Sequence, residues 1–322
     1  MESYDDAPEF LRVEGVRHRF GDREVLRGVN IDVRRGEVFG LLGPNGSGKS
    51  TLLAVLAGTL PMQDGKLFLD GRPVKAGDRS LREKIGVVFQ SPALDPKLTA
   101  RQNLQLAGYI QGLSGAVARR RTEKHLELVD LADRADEPVE HFSGGMKRKL
   151  DIARAMLHEP ELLLLDEPTA GLDEAAFRTT WQRLDAVREG RELTVLLTTH
   201  RPDEGERCHR LAVISSGATE VVDTPRALKR RLSGDLVVVT AADREEICRA
   251  VRERFSLACT VEDGEVLIEC EKGHELVPRL VEAFPAGRLE SVALRHPNLA
   301  DVFFKITGRQ LDEENGFAEA AR

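Results

Sequence analysis

Eight consecutive residues, Gly43-Pro44-Asn45-Gly46-Ser47-Gly48-Lys49-Ser50, fit the pattern G-x-x-x-x-G-K-[ST], which describes a loop that cradles phosphates. Glycines at 43, 46 and 48 let the backbone approach a pyrophosphate closely and aim several N–H groups at it. The N-terminus of a following helix adds partial positive charge at the same spot. Lys49 is expected to reach the terminal phosphates and the Ser50 hydroxyl to complete a Mg²⁺ shell, with Thr51 beside it among the nucleotide-binding positions. The motif requires a strand before it and a helix after it. Val38-Phe39-Gly40-Leu41-Leu42 reads as a buried strand and Leu52-Leu53-Ala54-Val55-Leu56-Ala57 as a helix.

A second group of residues suits the same chemistry. Leu162-Leu163-Leu164-Leu165 is a continuous apolar run that ends in Asp166-Glu167-Pro168. Such a run reads as a parallel strand covered on both faces. Carboxylates at its C-terminal end, beside a phosphate loop, suit a Mg²⁺-linked acid. Asp166 is expected to hold the metal shell, and Glu167 to orient or deprotonate an attacking water. Proton-transfer assistance of that kind is worth about 10²–10⁴ in rate.

The elements that would position these groups alternate between strand and helix. Before the phosphate loop come strand-like runs at Phe10–Val13, Val25-Leu26 and Val29–Val33. Asp64-Gly65 and Asp70-Gly71 bracket a short alternating strand, Lys66–Leu69, and Ile85–Phe89 reads as a further buried strand ending at Gln90. From Thr99 to about Arg134 the pattern is helical, broken at Gly112 and Gly115, and the Arg119-Arg120-Arg121 run reads as a solvated helix face. A helix from Ser143 to about His158 stops at Pro160. Another helix spans about Glu174 to Val187, and central strands cover Thr194–Thr198 and Leu211–Ile214. This alternation predicts an α/β sheet with an antiparallel part.

Beyond Arg230–Gly234 the order is strand (Leu236–Thr240), helix (Arg244–Phe255), a hairpin around Asp263-Gly264, helix (Glu275–Phe284) and strand (Leu289–Leu294). That βαββαβ order predicts a small ferredoxin-like domain. Leu299, Val302, Phe303 and Ile306 form the apolar stripe of a last helix that Gly308 stops. The predicted layout is a flexible start over 1–9, a nucleotide-binding domain over 10–232 with a helical subdomain at about 91–140, an accessory domain over 235–309, and a frayed tail over 310–322.

Composition narrows the setting. Lys and Arg total 47 against 54 Asp and Glu, a net charge of −7, so a general nucleic-acid surface is not expected. No stretch approaches the roughly 20 apolar residues that cross a bilayer. The acidic start Met1-Glu2-Ser3-Tyr4-Asp5-Asp6 lacks the basic, then apolar, pattern of a signal peptide. Cys208, Cys248, Cys259 and Cys270 lie far apart, with no C-x-x-C pair, and read as reduced cysteines of a cytoplasmic chain.

At Phe142-Ser143-Gly144-Gly145-Met146 the reading becomes specific. The stretch stands where nucleotide-binding subunits of ABC transporters carry the signature L-S-G-G-Q, and residues 10 to 230 resemble that family throughout. Physically the signature is a helix start capped by a serine, with two bare glycines. The resemblance implies that Ser143, Gly144 and Gly145 hold ATP bound in the phosphate loop of an opposing subunit, so that two subunits sandwich two nucleotides head-to-tail. It implies further that Phe20 stacks on adenine and that Gln90 touches the metal and the attacking water. Asp173 would lie on a loop that crosses to the mate, and His200 would contact the γ-phosphate.

Met146 departs from the usual Gln but leaves the serine and glycines in place. Together with Phe89–Asp95, Leu98-Thr99, Pro297–Phe303 and Thr307–Arg309, the stretch Phe142–Leu150 resembles the type-two exporter branch, which includes daunorubicin-type drug-efflux ATPases. The implied protein is an ATPase using ATP and Mg²⁺. It pairs with a second ATP-binding subunit, as a homodimer rather than a heterodimer, and drives a separate transmembrane permease from the inner face of the cell membrane. Two other readings are an import ATPase with a ligand-sensing C-terminal domain and a soluble, non-transport ABC ATPase. The single phosphate loop and the lack of sustained heptads disfavour the latter.

Overall fold

In the computed structural model, which describes residues 7–188, 192–232, 234–262, 264–285 and 287–311, two long antiparallel strands come first. They are β1 (Glu9–Phe20) and β2 (Arg23–Arg34). The separate short runs expected from sequence are thus one hairpin. Register shifts around Gly15 (φ +61°) absorb the breaks in alternation, so the chain bends without leaving the sheet. β3 (Val38–Leu42), every residue of it buried, leads through the glycine loop into α1 (Lys49–Leu56). β4 (Asp64–Leu69) and β5 (Arg72–Val74) turn about Asp70 and Gly71, both in the left-handed region, and complete a four-stranded antiparallel sheet of order β2-β1-β4-β5.

Next come α2 (Arg79–Lys84), β6 (Ile85–Val88), α3 (Ala100–Ile110), α4 (Gly115–Leu128), α5 (Gly144–Met156) and β7 (Leu162–Asp166). α6 (Glu174–Arg188), β8 (Thr194–Thr199), α7 (Pro202–Gly205), β9 (Arg210–Ser215) and β10 (Ala218–Asp223) follow. Six strands make the central sheet, in the order β10-β9-β3-β8-β7-β6, and β9, β3, β8, β7 and β6 pair in parallel. The four leucines of β7 show why it is apolar throughout. Leu162 and Leu164 belong to the core shared with α1 and the antiparallel sheet, whereas Leu163 and Leu165 belong to the core under α5 and α6. A third core, with Leu104, Leu126, Leu150 and Leu157, holds α3, α4 and α5 together. Thr99 caps α3 with a capping box completed by Gln102.

A second compact unit runs from Asp223 to Gln310. It begins earlier than the Arg230–Gly234 stretch suggests, because α8 (Pro225–Lys229) packs on α11 (Leu299–Thr307). Between them lie β11 (Asp235–Thr240), α9 (Arg244–Phe255), β12 (Cys259–Glu262), β13 (Glu265–Cys270), α10 (Gly273–Ala283) and β14 (Ser291–Arg295). Their sheet is antiparallel, in the order β12-β13-β11-β14. Its core takes Cys248, Cys259 and Cys270 as buried free thiols, and Cys208 is buried in the first unit. Gly308, at φ +69°, ends α11. Of the tail expected over 310–322, residues 312–322 lie outside the described residues, as do the first six residues and the hairpin residue Asp263.

The two-sided burial of β7 yields a test. Leu164→Ala removes a side chain with no exposed surface at the centre of the sheet, and a loss of about 2–5 kcal/mol is expected. It should be read as a lowered urea midpoint with an unchanged slope; a midpoint equal to wild type would contradict the packing described.

Candidate nucleotide-binding and hydrolytic site

β3 delivers the chain to Gly43, whose N–H donates to the Thr199 carbonyl at the end of β8 (3.2 Å). A Cβ at Gly43 would stand 2.2 Å from the Ile214 carbonyl oxygen, so only glycine lets the loop start this close to β9. Gly48, at φ +104°, turns the chain into α1. Within the loop Ser47 is fully buried, and its hydroxyl has no hydrogen-bond partner. Lys49 is almost fully buried and donates from Nζ to the carbonyls of Gly43 (2.8 Å) and Pro44 (2.9 Å). Burial pulls its ammonium down to about 8, against the opposing pull of Glu167 and Asp166.

The acid pair closes the far side. Asp166 ends β7, is 6% exposed, and accepts through Oδ1 from both Ser50 Oγ (2.8 Å) and Thr198 Oγ1 (2.6 Å). One carboxylate oxygen thereby ties the start of α1 to two parallel strands. Glu167 follows at φ +44°, a left-handed conformation that costs a non-glycine residue about 1–2 kcal/mol. Its N–H is held by Thr198 Oγ1 (2.9 Å), and its carboxylate meets His200 Nδ1 at 3.2 Å. The His200 hydrogen bond holds the Glu167 carboxyl below the usual glutamate range, outweighing the desolvation that would raise it. The acid therefore stays ionised and able to accept a proton.

These groups share a cavity of about 420 Å³. Phe20, Asn45, Gly46, Gly48, Lys49, Ser50, Thr51, Gln90 and Glu167 all line it. Phe20 is half exposed at its rim, a flat face available for stacking. Gly43, Pro44 and Ser47 support the loop from behind, Asp166 backs Ser50, and His200 reaches the cavity through Glu167. The donor set of Ser50, Asp166 and Gln90 is all oxygen-bearing, as a hard cation prefers. Among the described residues no group of three or more His, Cys, Asp or Glu could hold a metal alone. A Mg²⁺ here would thus fit as an ion shared with phosphate oxygens.

Ser143, Gly144, Gly145 and Asp173, the other expected residues, do not line this cavity either. Ser143 caps α5, its Oγ accepting from the Met146 N–H (3.3 Å), and Gly144 and Gly145 have open space where a Cβ would sit. Asp173 caps α6, its Oδ1 accepting from the Ala176 N–H (2.8 Å). All four are exposed. Arg23 and Val25, which also line the cavity, and two supporting residues escaped the sequence reading of the site. Thr198 sits in the fully buried strand Thr194–Thr199, where a hydroxyl must find a partner, and that was its available signal. Arg148 donates to the carbonyls of Phe89 (2.5 Å) and Asp166 (3.1 Å), which nothing in a basic helix start announces.

The family model for ABC transporter matches residues 26–170. The chain is 37% identical to the daunorubicin resistance ATP-binding protein DrrA2 of Streptomyces coeruleorubidus, over 94% of this chain and 96% of that one. It is 38% identical to the Nod factor export ATP-binding protein I of Bradyrhizobium diazoefficiens, over 93% and 96%. A solved ATP-binding cassette, dimeric in a post-hydrolysis state with ADP and Pi, superposes with a TM-score of 0.60 at 28% identity, covering 66% of this chain and 98% of its own.

The Lys49 environment generates a pH prediction. Polyphosphate favours the charged ammonium, while the nucleotide-free protein loses that proton near pH 8. ATP affinity should therefore fall as pH rises through about 8, by up to about tenfold per unit, with proton uptake on binding. Calorimetry in buffers of differing ionisation enthalpy checks this; a flat affinity from about pH 7 to about pH 10 would contradict it.

Proposed function

Since this chain belongs to the ABC transporter ATP-binding family, we propose that it hydrolyses ATP between two copies of itself to power an export permease, with Glu167 as the residue that activates water. The observation that carries the reading is the Glu167–His200 pair, 3.2 Å apart, set over Ser50 and Asp166 at the mouth of the glycine loop. Phe20 would stack on the adenine, the loop N–H groups and Lys49 would hold the phosphates, and Gln90 would reach the attacking water. In the reaction the water oxygen bonds to the γ-phosphorus as the bond to the β–γ bridging oxygen breaks. The water proton passes toward the ionised Glu167 carboxylate, leaving ADP and phosphate. Mg²⁺, when bound, would neutralise charge on the phosphate oxygens. Ser50 and Asp166 would hold it, and His200 would orient Glu167 and contact the γ-phosphate.

The signature supports the two-copy arrangement. A capped, exposed helix tip with two bare glycines is an anion site, and it stands apart from the cavity lined by the same chain's own glycine loop. A mate's ATP would occupy it, with Asp173 at the crossing loop. We infer a homodimer, because one chain carries both halves of the composite site. ABC ATP-binding subunits work with transmembrane partners, and no helix among the described residues is long and apolar enough to cross a membrane. The permease would therefore carry the protein to the inner face of the membrane. Its docking place is proposed at the groove of about 260 Å³ between β6 and α3, where Leu106 (46%) and Ile110 (76%) are exposed. The second unit is proposed to be a ferredoxin-like domain, from its βαββαβ order and its sheet order. It would help the copies pair or modulate turnover.

Glu167→Gln should slow hydrolysis by about 10² or more while ATP still binds, trapping a nucleotide-loaded dimer visible by light scattering. Turnover at the wild-type rate would assign the base elsewhere. Ile110→Glu should leave ATPase of the isolated protein unchanged yet abolish co-purification with the permease. Retained co-purification would move the docking place off α3.

A further inference from the structure

Among the described residues β6 is the end strand of the central sheet, and one edge of its backbone has no neighbouring strand. The Lys84 carbonyl, which accepts from the Glu161 N–H (2.9 Å), points toward the β7 side. By strand alternation the carbonyls of Ile85, Val87 and Phe89 point to the free edge. An unpartnered row of carbonyls there would be costly wherever water is excluded. Each has a partner, and all three partners come from α5 and the residue pair beyond it. His158 Nε2 donates to Ile85 O (3.0 Å), Arg154 Nη2 to Val87 O (2.9 Å), and Arg148 Nη1 to Phe89 O (2.5 Å). Residues 148 and 154 lie six apart on α5, about 120° apart around the helix, yet both long side chains reach the β6 edge, and Asp151, three positions from each, is paired to Arg154 Nε (2.7 Å). The ladder runs antiparallel to β6, and side chains of α5 take the place of the missing strand.

The last rung is the informative one. Phe89 precedes Gln90, and the other arm of Arg148 donates to the carbonyl of Asp166, next to Glu167. One guanidinium thus holds the ends of β6 and β7 together, five positions after the Ser143 cap of the same helix. A planar fork can bridge two carbonyls in fixed geometry, and a lysine ammonium cannot do so in the same way.

We propose that Arg148 is a positioning residue for ATP hydrolysis, and that the α5–β6 ladder carries a displacement of the signature tip to Gln90 and the Asp166-Glu167 pair. The proposal rests on the two-copy ATP sandwich proposed above. When a mate's nucleotide seats on Ser143–Gly145, α5 shifts as a rigid helix. Its rungs then move the backbone on which the water-activating groups stand. Hydrolysis is thereby tied to closure through hydrogen bonds to main-chain carbonyls.

The test is a rung series, Arg148→Lys, Arg154→Lys and His158→Gln, in the full-length protein. ATPase rate, KM for ATP and thermal midpoint are measured for each. Arg148→Lys should lower kcat about tenfold with KM within about twofold, since a misplaced group costs rate more than binding. The loss should shrink along the series toward His158→Gln whatever the ordering of midpoints. Losses that follow thermal midpoint instead of position, or a wild-type kcat in Arg148→Lys, would overturn the proposal. If Arg148→Lys gives no folded protein, the other two rungs still decide, because equal kcat losses at 154 and 158 also overturn it. ATP-driven dimerisation of Glu167→Gln, measured in parallel, separates the outcomes. Its absence sinks the sandwich itself, whereas its presence beside an unaffected Arg148→Lys sinks the ladder alone.

Discussion

Asp166 Oδ1 receives two hydroxyls, from Ser50 at the start of α1 and from Thr198 near the end of β8. Three separate stretches of chain meet at that oxygen, and the site is built outward from it. A buried carboxylate is tolerated only when hydrogen bonds replace its lost water, and here those bonds come from Ser50 at the end of the glycine loop and Thr198 of β8. The Thr198 hydroxyl that donates to Asp166 also accepts from the Glu167 N–H. The position of the proposed base is therefore set by the same network that sets the proposed metal ligand. The Thr199 carbonyl then takes the Gly43 N–H, so β8 fixes the acid pair and the glycine loop at once.

Much of this was legible because the chemistry needs residue types that punctuate a sequence strongly. Glycines at 43, 46 and 48 followed by Lys49, and a leucine run closed by two acids, leave few alternatives. The parallel sheet was equally readable from β7, whose unbroken apolar run matches burial on both faces. Less readable were elements defined by tertiary partners. β10 carries Thr219 and Glu220 and is only partly buried, so its alternation is weak. α2 and α7 are a turn or two long and hold too few apolar positions to show a period. The division at Asp223 depends on α8 meeting α11 across some seventy residues, which no local pattern encodes.

Within the site the same division holds. Loop and acid residues announce themselves by type, while the groups that hold them do not. Thr198 looks like one more β-branched residue in a strand, and Arg148 like part of a solvated basic stretch, Lys147-Arg148-Lys149. Both act through the backbone or through a carboxylate already engaged, and such roles depend on how strands end in space. Arg148 illustrates the cost involved. Burial pulls its guanidinium down, and Asp151, Asp166 and Glu204 oppose that pull. An arginine is held there because a five-donor fork can satisfy carbonyls from two strands.

The strain at Glu167 gives these contacts a purpose. A glutamate at φ +44° gives up about 1–2 kcal/mol that an extended backbone would keep. The Thr198 bond to its N–H and the His200 bond to its carboxylate offset that loss. Each bond contributes on the order of 1 kcal/mol, so the balance is narrow. A narrowly balanced base is sensitive to small backbone movements on either side of it. Arg148 grips the carbonyl immediately before Glu167, and its helix begins at the tip proposed to meet a second copy's nucleotide. A rigid, comfortable acid would answer weakly to such a pull; a strained one, held by two hydrogen bonds and a guanidinium, can be brought into or out of line by a fraction of an ångström.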